Sequence, residues 1–289
     1  MSVFADARRA FHAQLLGSIL HVDKSNVLTN ADKKNKASVE IARAIVAKIG
    51  DAERRKRMAP QTLGVRFEEA CADFLNATFP ALKHLRPGNW RIGRPSSRLF
   101  RKSIEKTIAG FEQFAHLAEL ERLAEADTML AAAIGNDYLI KPDVVIAREP
   151  ESDVCINFER ELVDAEIAVR TPLRAANSQL HILHASISCK WTLRSDRAQN
   201  ARSEGLNLVK NRKGRVPHIA VITAEPTPAR IASIALGTGE IDCVYHFALP
   251  ELQAALAKLD YPDAQLMLQT MVEGRRLRDI ADLPLDLAA

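Results

Sequence analysis

From Tyr138 onward the chain is built of short runs of branched apolar residues separated by amphipathic stretches, and this alternation narrows the possible folds more than any other feature. The runs cover residues 143–147, 181–191, 217–223 and 241–247. Runs of this length, rich in Val and Ile and bounded by turn-forming residues, read as strands. Residues 196–210, 250–259 and 264–280 instead space their apolar side chains as helices do. Strands alternating with helices predict an α/β core, with a central mixed β-sheet flanked by helices.

The half of the chain before this core reads as helical. Apolar spacing predicts helices over 4–16, 38–49 and 67–79, with the polar stretch 23–36 as a loop. Residues 84–102 hold Pro87-Gly88, Gly93, Pro95 and five arginines, which predicts loops and one short strand around Trp90. An alanine-rich helix is expected over 104–134, broken near 125–127 and stopped by Gly135-Asn136. No repeat or low-complexity linker divides the chain. The expectation is one domain over 1–289, with a helix-rich part at 1–136 and an α/β catalytic part at 137–289.

Composition serves mainly to exclude. With 47% hydrophobic and 26% charged residues the chain is not of the disordered class. Cys71, Cys155, Cys189 and Cys243 form no CxxC pair, so neither a zinc ribbon nor a disulfide framework is indicated. No stretch approaches the roughly 18 apolar residues of a membrane span, and a cytoplasmic protein is expected. Lys plus Arg (40) barely exceeds Asp plus Glu (36), so total charge says little about a polyanionic partner. Its distribution says more. A basic run at 54–57 reads as solvated surface, whereas Arg194, Arg197, Arg202, Lys210, Arg212, Lys213 and Arg215 overlap a group of carboxylates.

On the strand 181–191, His184, Ser186, Ser188 and Lys190 share one face, and Ala185, Ile187, Cys189 and Trp191 the other. A lysine on a core strand must reach water or meet a negative partner, because a buried unpaired ammonium is costly. Pro142-Asp143 opens another strand with a carboxylate. Together with Ser188-Cys189-Lys190 it has the order of a metal-dependent phosphodiesterase site, in which carboxylates hold Mg²⁺ and a lysine positions the attacking water. The second carboxylate usual two residues before the lysine is replaced by Ser188. Glu204, one helical turn past Asn200 on the following helix, can supply it.

The run Leu183-His-Ala-Ser-Ile-Ser-Cys-Lys-Trp-Thr-Leu-Arg-Ser-Asp-Arg-Ala-Gln-Asn-Ala-Arg-Ser-Glu-Gly-Leu-Asn-Leu-Val209 resembles the NgoMIV-like type II restriction endonucleases, in the CCGG-recognising branch of the PD-(D/E)xK nucleases. The similarity continues through Asn211-Arg-Lys-Gly-Arg215, Val221-Ile-Thr-Ala-Glu-Pro-Thr-Pro228 and Gly237-Thr-Gly-Glu-Ile-Asp-Cys-Val-Tyr-His-Phe247 to Asp282-Leu-Pro-Leu-Asp-Leu287. In that branch the carboxylate after the core strand is displaced onto the next helix, which accounts for Ser188 and Glu204. The resemblance implies Asp143 and Glu204 as metal ligands, with two Mg²⁺ per active site. It makes Lys190 the group that activates water, Glu68 a further acidic member and Ser188 a neighbour.

The resemblance also implies that Arg194, Asp196 and Arg197 read the inner CCGG, that Arg230 and Asp32 read the outer G·C pair, and that Gln61 touches the minor groove. Arginine can donate two hydrogen bonds to guanine and a carboxylate can accept one from cytosine, so these residue types suit G·C pairs. The paired lysines after Asp32 depart from the family pattern, and the segment Arg91 to Arg101 is longer and more basic than its family counterpart and reads more as a surface insertion than as an extra phosphate contact. By the same resemblance the partner is double-stranded DNA, the site GCCGGC is cut after its first G to leave 5′ CCGG overhangs, and the assembly is a homotetramer on two DNA sites. A cognate methyltransferase would belong to the same system without being bound.

The rival readings are a PD-(D/E)xK nuclease of repair or recombination without strict sequence preference, and a non-catalytic DNA-binding protein. Gly237-Thr-Gly239 precedes a strand and lacks the lysine of a nucleotide loop, so it reads as a turn. His181 and His184 fall on opposite strand faces and are poor joint zinc ligands, and His184 is expected to pack near the active site.

Overall fold

The four expected strands form the centre of one six-stranded mixed sheet in the computed structural model, which describes residues 2–55, 58–95, 107–127, 129, 140–237 and 239–289. They are β2 (Val144–Arg148), β3 (Ile182–Lys190), β4 (His218–Thr223) and β5 (Cys243–His246). β1 (Trp90–Gly93), the strand expected around Trp90, forms one edge, and β6 (Leu277–Asp279) forms the other. Strand order follows the sequence from β1 to β6. β1, β2 and β3 pair antiparallel, whereas β3 to β6 pair parallel. Parallel neighbours need crossovers. Ser195–Asn211 supplies the one between β3 and β4, and Pro228–Ala235 the one between β4 and β5.

Ten α-helices are present among the described residues: α1 (Val3–Ser18), α2 (Lys36–Ile49), α3 (Pro60–Thr78), α4 (His116–Ala126), α5 (Asp153–Ile156), α6 (Ser195–Asn211), α7 (Pro228–Ala235), α8 (Leu249–Leu256), α9 (Pro262–Glu273) and α10 (Leu283–Ala288). None is long and apolar enough to cross a membrane. α3 begins well before the expected residue 67, because Pro60 occupies the first helical position, where a missing N–H costs nothing.

Two expectations fail in instructive ways. The stretch read as a helix from 104 instead makes 3-10 turns at Ile108–Gly110 and Glu112–Phe114 before α4 begins. Long-range bonds take its backbone: Ile108 N–H donates to Ile140 O and Glu112 N–H to His181 O. The Gln113 side chain clips both backbone groups of Leu183 on β3, at 2.7 and 3.0 Å. The predicted break near 125–127 matches the end of α4 at Ala126, and the rest of that predicted helix, 130–134, lies outside the described residues. The second failure is β6, which lies within the stretch read as helix over 264–280. α9 stops at Gly274, Arg275 takes φ of 55°, and residues 277–279 then pair with β5.

One contiguous buried cluster runs from Phe11 and Leu15 on α1 through Val144–Ala147 and Ile187 to Leu283 and Leu287 on α10. The helix-rich N-terminal half therefore shares its apolar core with the sheet. Arg8 fastens the two, donating to Glu251 on α8 and Asp279 on β6, each at 2.8 Å.

Candidate active site

The antiparallel register of β2 on β3 sets the site. Val144 pairs with Ile187, so the residue just before β2 arrives beside the last residues of β3. That residue is Asp143. Its Oδ2 accepts from the Cys189 backbone N–H at 2.8 Å and from Lys190 Nζ at 3.1 Å. α6 brings Glu204 to the other side of the ammonium, with Oε2 4.0 Å from Lys190 Nζ. Both Glu204 oxygens are held by neutral donors, Oε2 by Ser188 Oγ at 3.1 Å and Oε1 by Asn200 Nδ2 at 2.8 Å. Ser188 thus stands where strand alternation places it, on the face of Lys190, and touches the carboxylate that stands in for it.

The other face of β3 rests on α3. Trp191 meets Phe67 edge to face with ring centroids 5.1 Å apart, a pair worth about 0.5–1.5 kcal/mol beyond its burial. That contact fixes α3 so that Glu68 lines the same cleft of about 400 Å³ as Asp143, Lys190, Asp196, Arg197 and Asn200.

The electrostatics ask for a cation. Each close ion contact of Lys190 yields about 4 kcal/mol at an effective dielectric near 20, comparable to the several kcal/mol lost on desolvating each partner. One ammonium cannot neutralise two carboxylates. Burial, and then the Asp143 charge, push the Glu204 carboxyl above its ordinary value against the pull of Lys190. The same two causes, in the same order, push Glu68 up against the pull of Arg94. Burial works against the Lys190 ammonium, but Asp143 and Glu204 more than offset it and hold its pKa above the ordinary value. Hard oxygen donors left short of positive charge fit a divalent cation such as Mg²⁺. The donors line the cleft without closing into a cage: no group of three or more metal-ligating side chains is assembled among the described residues.

The remaining candidates gather on the rim. Arg194 and Asp196 are exposed at the start of α6, and Arg197 donates to Thr192 Oγ1 at 2.8 Å. Asp32 and Arg230, 198 residues apart in sequence, are joined in an ion pair that lowers the Asp32 carboxyl. Both line a further pocket with Arg194 and Arg197. Gln61 is exposed on the first turn of α3, beside Pro60, which borders both that pocket and the cleft that holds Asp143 and Lys190. His184 is a correction. It lies near the opposite end of β3 from Lys190, stacked among Trp90, Phe79 and His218, with Nε2 2.8 Å from Leu287 O.

Two groups at the site went unrecognised in the sequence. Arg94, just past β1, donates to Glu68 at 2.8 Å and to Glu69 at 3.2 Å. The arginines around it read as a surface insertion, and only the run's basic composition hinted otherwise. Glu225, just beyond β4, is buried beside Arg230 and accepts from the Leu193 N–H. Its sequence context, a Pro-flanked carboxylate, carries no signal of that burial.

Comparison with known proteins gives two matches. The profile of the family described as NgoMIV restriction enzyme matches residues 11–289. The type II restriction enzyme NgoMIV of Neisseria gonorrhoeae is 52% identical over 287 residues, covering 99% of each chain.

Proposed function

The chain belongs to the NgoMIV restriction enzyme family, and from that premise we propose that it is a type II restriction endonuclease hydrolysing double-stranded DNA at GCCGGC, cutting after the first G to leave 5′ CCGG overhangs. The observation that carries the chemistry is Lys190 held between Asp143 and Glu204 at one end of β3, with Arg194 and Arg197 immediately following. Cutting and reading would then be done by one strand end and the helix it feeds. The whole chain is taken as one catalytic unit.

Asp143 and Glu204 would hold Mg²⁺, two ions per site, with Glu68 as a further acidic neighbour. When bound, the metal would supply a nucleophile at neutral pH and charge stabilisation at the phosphate. Lys190 does what its place allows: its ammonium orients the attacking water and offsets charge growing on the phosphate oxygens. Ser188 and Asn200 hold the plane of Glu204. Arg194 and Arg197 would grip guanine edges of CCGG with Asp196 on cytosine, Arg230 and Asp32 the outer pair, and Gln61 the minor groove.

A defined plasmid digested in Mg²⁺, with the fragment ends sequenced, tests site and cut position together. Discrete fragments ending in CCGG overhangs are expected. A smear would favour a nuclease without sequence preference, and intact plasmid a binding protein.

A further inference from the structure

The segment after β4, Ala224-Glu225-Pro226-Thr227, touches the loop that ends in Arg194, the helix start that carries Arg230 and the stretch that carries Asp32. Glu225 has 0% of its surface exposed, and an ionised side chain so placed must be compensated by bonds. Its Oε2 accepts from the Leu193 backbone N–H at 2.9 Å, directly before Arg194. Its Oε1 accepts from the N–H of Thr227 at 3.2 Å, and Thr227 directly precedes α7, whose first turn carries Arg230. Arg230 Nη1 itself lies 3.7 Å from Oε2.

One residue earlier, the Ala224 carbonyl accepts from Asn30 Nδ2 at 2.9 Å. Asn30 is 1% exposed and stands two residues before Asp32. The catalytic end of β3 is tied to the same place, since Thr223 Oγ1 donates to the Lys190 carbonyl at 2.8 Å and accepts from the Glu225 N–H at 3.1 Å.

An apolar residue would fill this position without desolvating a charge. A carboxylate here instead fixes backbone donors on two separate elements at once. We propose that Glu225 is a positioning residue for base recognition, holding the loop that ends in Arg194 and the helix start that carries Arg230 in one register against the DNA. The inference rests on reading Arg194 and Arg230 as base contacts.

The test is equilibrium binding in Ca²⁺ of wild type and Glu225→Gln to three duplexes: GCCGGC, the same with its outer pair changed, and the same with one inner pair changed. An amide offers one oxygen to two N–H groups and no charge to Arg230. Losing a buried bond to a charged acceptor lowers the affinity ratios at both the inner and the outer pair by about tenfold or more. Wild-type ratios at either pair, or a uniform loss on all three duplexes, would overturn the proposal. Failure of the wild-type protein to separate the three duplexes would instead sink the base-reading assignment itself. Should Glu225→Gln not fold, as judged by its thermal melt, Glu225→Asp carries the test: it keeps the charge but is one methylene too short to hold both N–H groups, and both ratios fall. Wild-type ratios in that variant overturn the proposal.

Discussion

Asp143 and Lys190 are proposed to serve cleavage and not base reading, and single substitutions test that division. Asp143→Ala and Lys190→Ala are expected to retain sequence-specific binding in Ca²⁺ while cleavage in Mg²⁺ falls at least about 100-fold. Near wild-type cutting by either variant would remove that residue from the site. Glu204 adds a pH signature. Burial raises its carboxyl above 4.5, so the folded protein binds this proton more tightly than the unfolded chain does, and stability drains away as pH rises from 4.5 through the raised value. Glu204→Gln has no such proton to lose. Without divalent cation, its melting temperature relative to wild type should therefore climb between pH 5 and pH 8, and a flat difference would contradict the raised pKa. Asp143 and Lys190 were legible because strand alternation and the Pro-Asp opening constrain them locally, and Glu204 because of its helical spacing from Asn200 and the family resemblance. Arg94 and Glu225 were not, since their roles come from partners 26 and 32 residues away, which no local pattern encodes.

β3 and α6 are long enough to show a period and were read correctly, whereas β6 and the turns at 108–114 are set by pairing and were not. β3 and α6 repeat their spacing over many residues. β6 has three residues and exists because β5 offers an open edge, and the turns at 108–114 exist because Gln113 and Glu112 find β3. α6 also depends on a contact invisible in its period. A Cβ at Gly205 would lie 2.4 Å from the Glu240 carbonyl oxygen, which is backbone and cannot swing away. Gly205→Ala should therefore cost about 1–3 kcal/mol in a denaturant titration. Because Glu204 and Asn200 ride on the same helix, cleavage should fall with it. A stability equal to wild type would mean that α6 has slack against the turn at Glu240.

At the scale of the whole molecule, the arrangement has one consequence for assembly. The chain contributes one Lys190 with its carboxylates, whereas cutting both strands of a palindrome calls for two such centres related by the two-fold axis of the site. A dimer is therefore the smallest assembly that completes the proposed reaction on one site. The tetramer that the family resemblance implies would add a second dimer and a second DNA duplex, and this makes a kinetic difference. Two sites on one plasmid present themselves at the effective concentration set by the connecting DNA, so the second binding step becomes intramolecular. If occupancy of one dimer favours the active form of the other, the coupling must be reciprocal. A plasmid with two sites should then be cut several-fold faster than one with a single site, at equal site concentration. A single-site plasmid should speed up when a short duplex carrying GCCGGC is added, and not when the duplex carries an altered inner pair. Equal rates on both plasmids, unmoved by either duplex, would leave the dimer as the working unit and overturn the expected tetramer without touching the site at the end of β3.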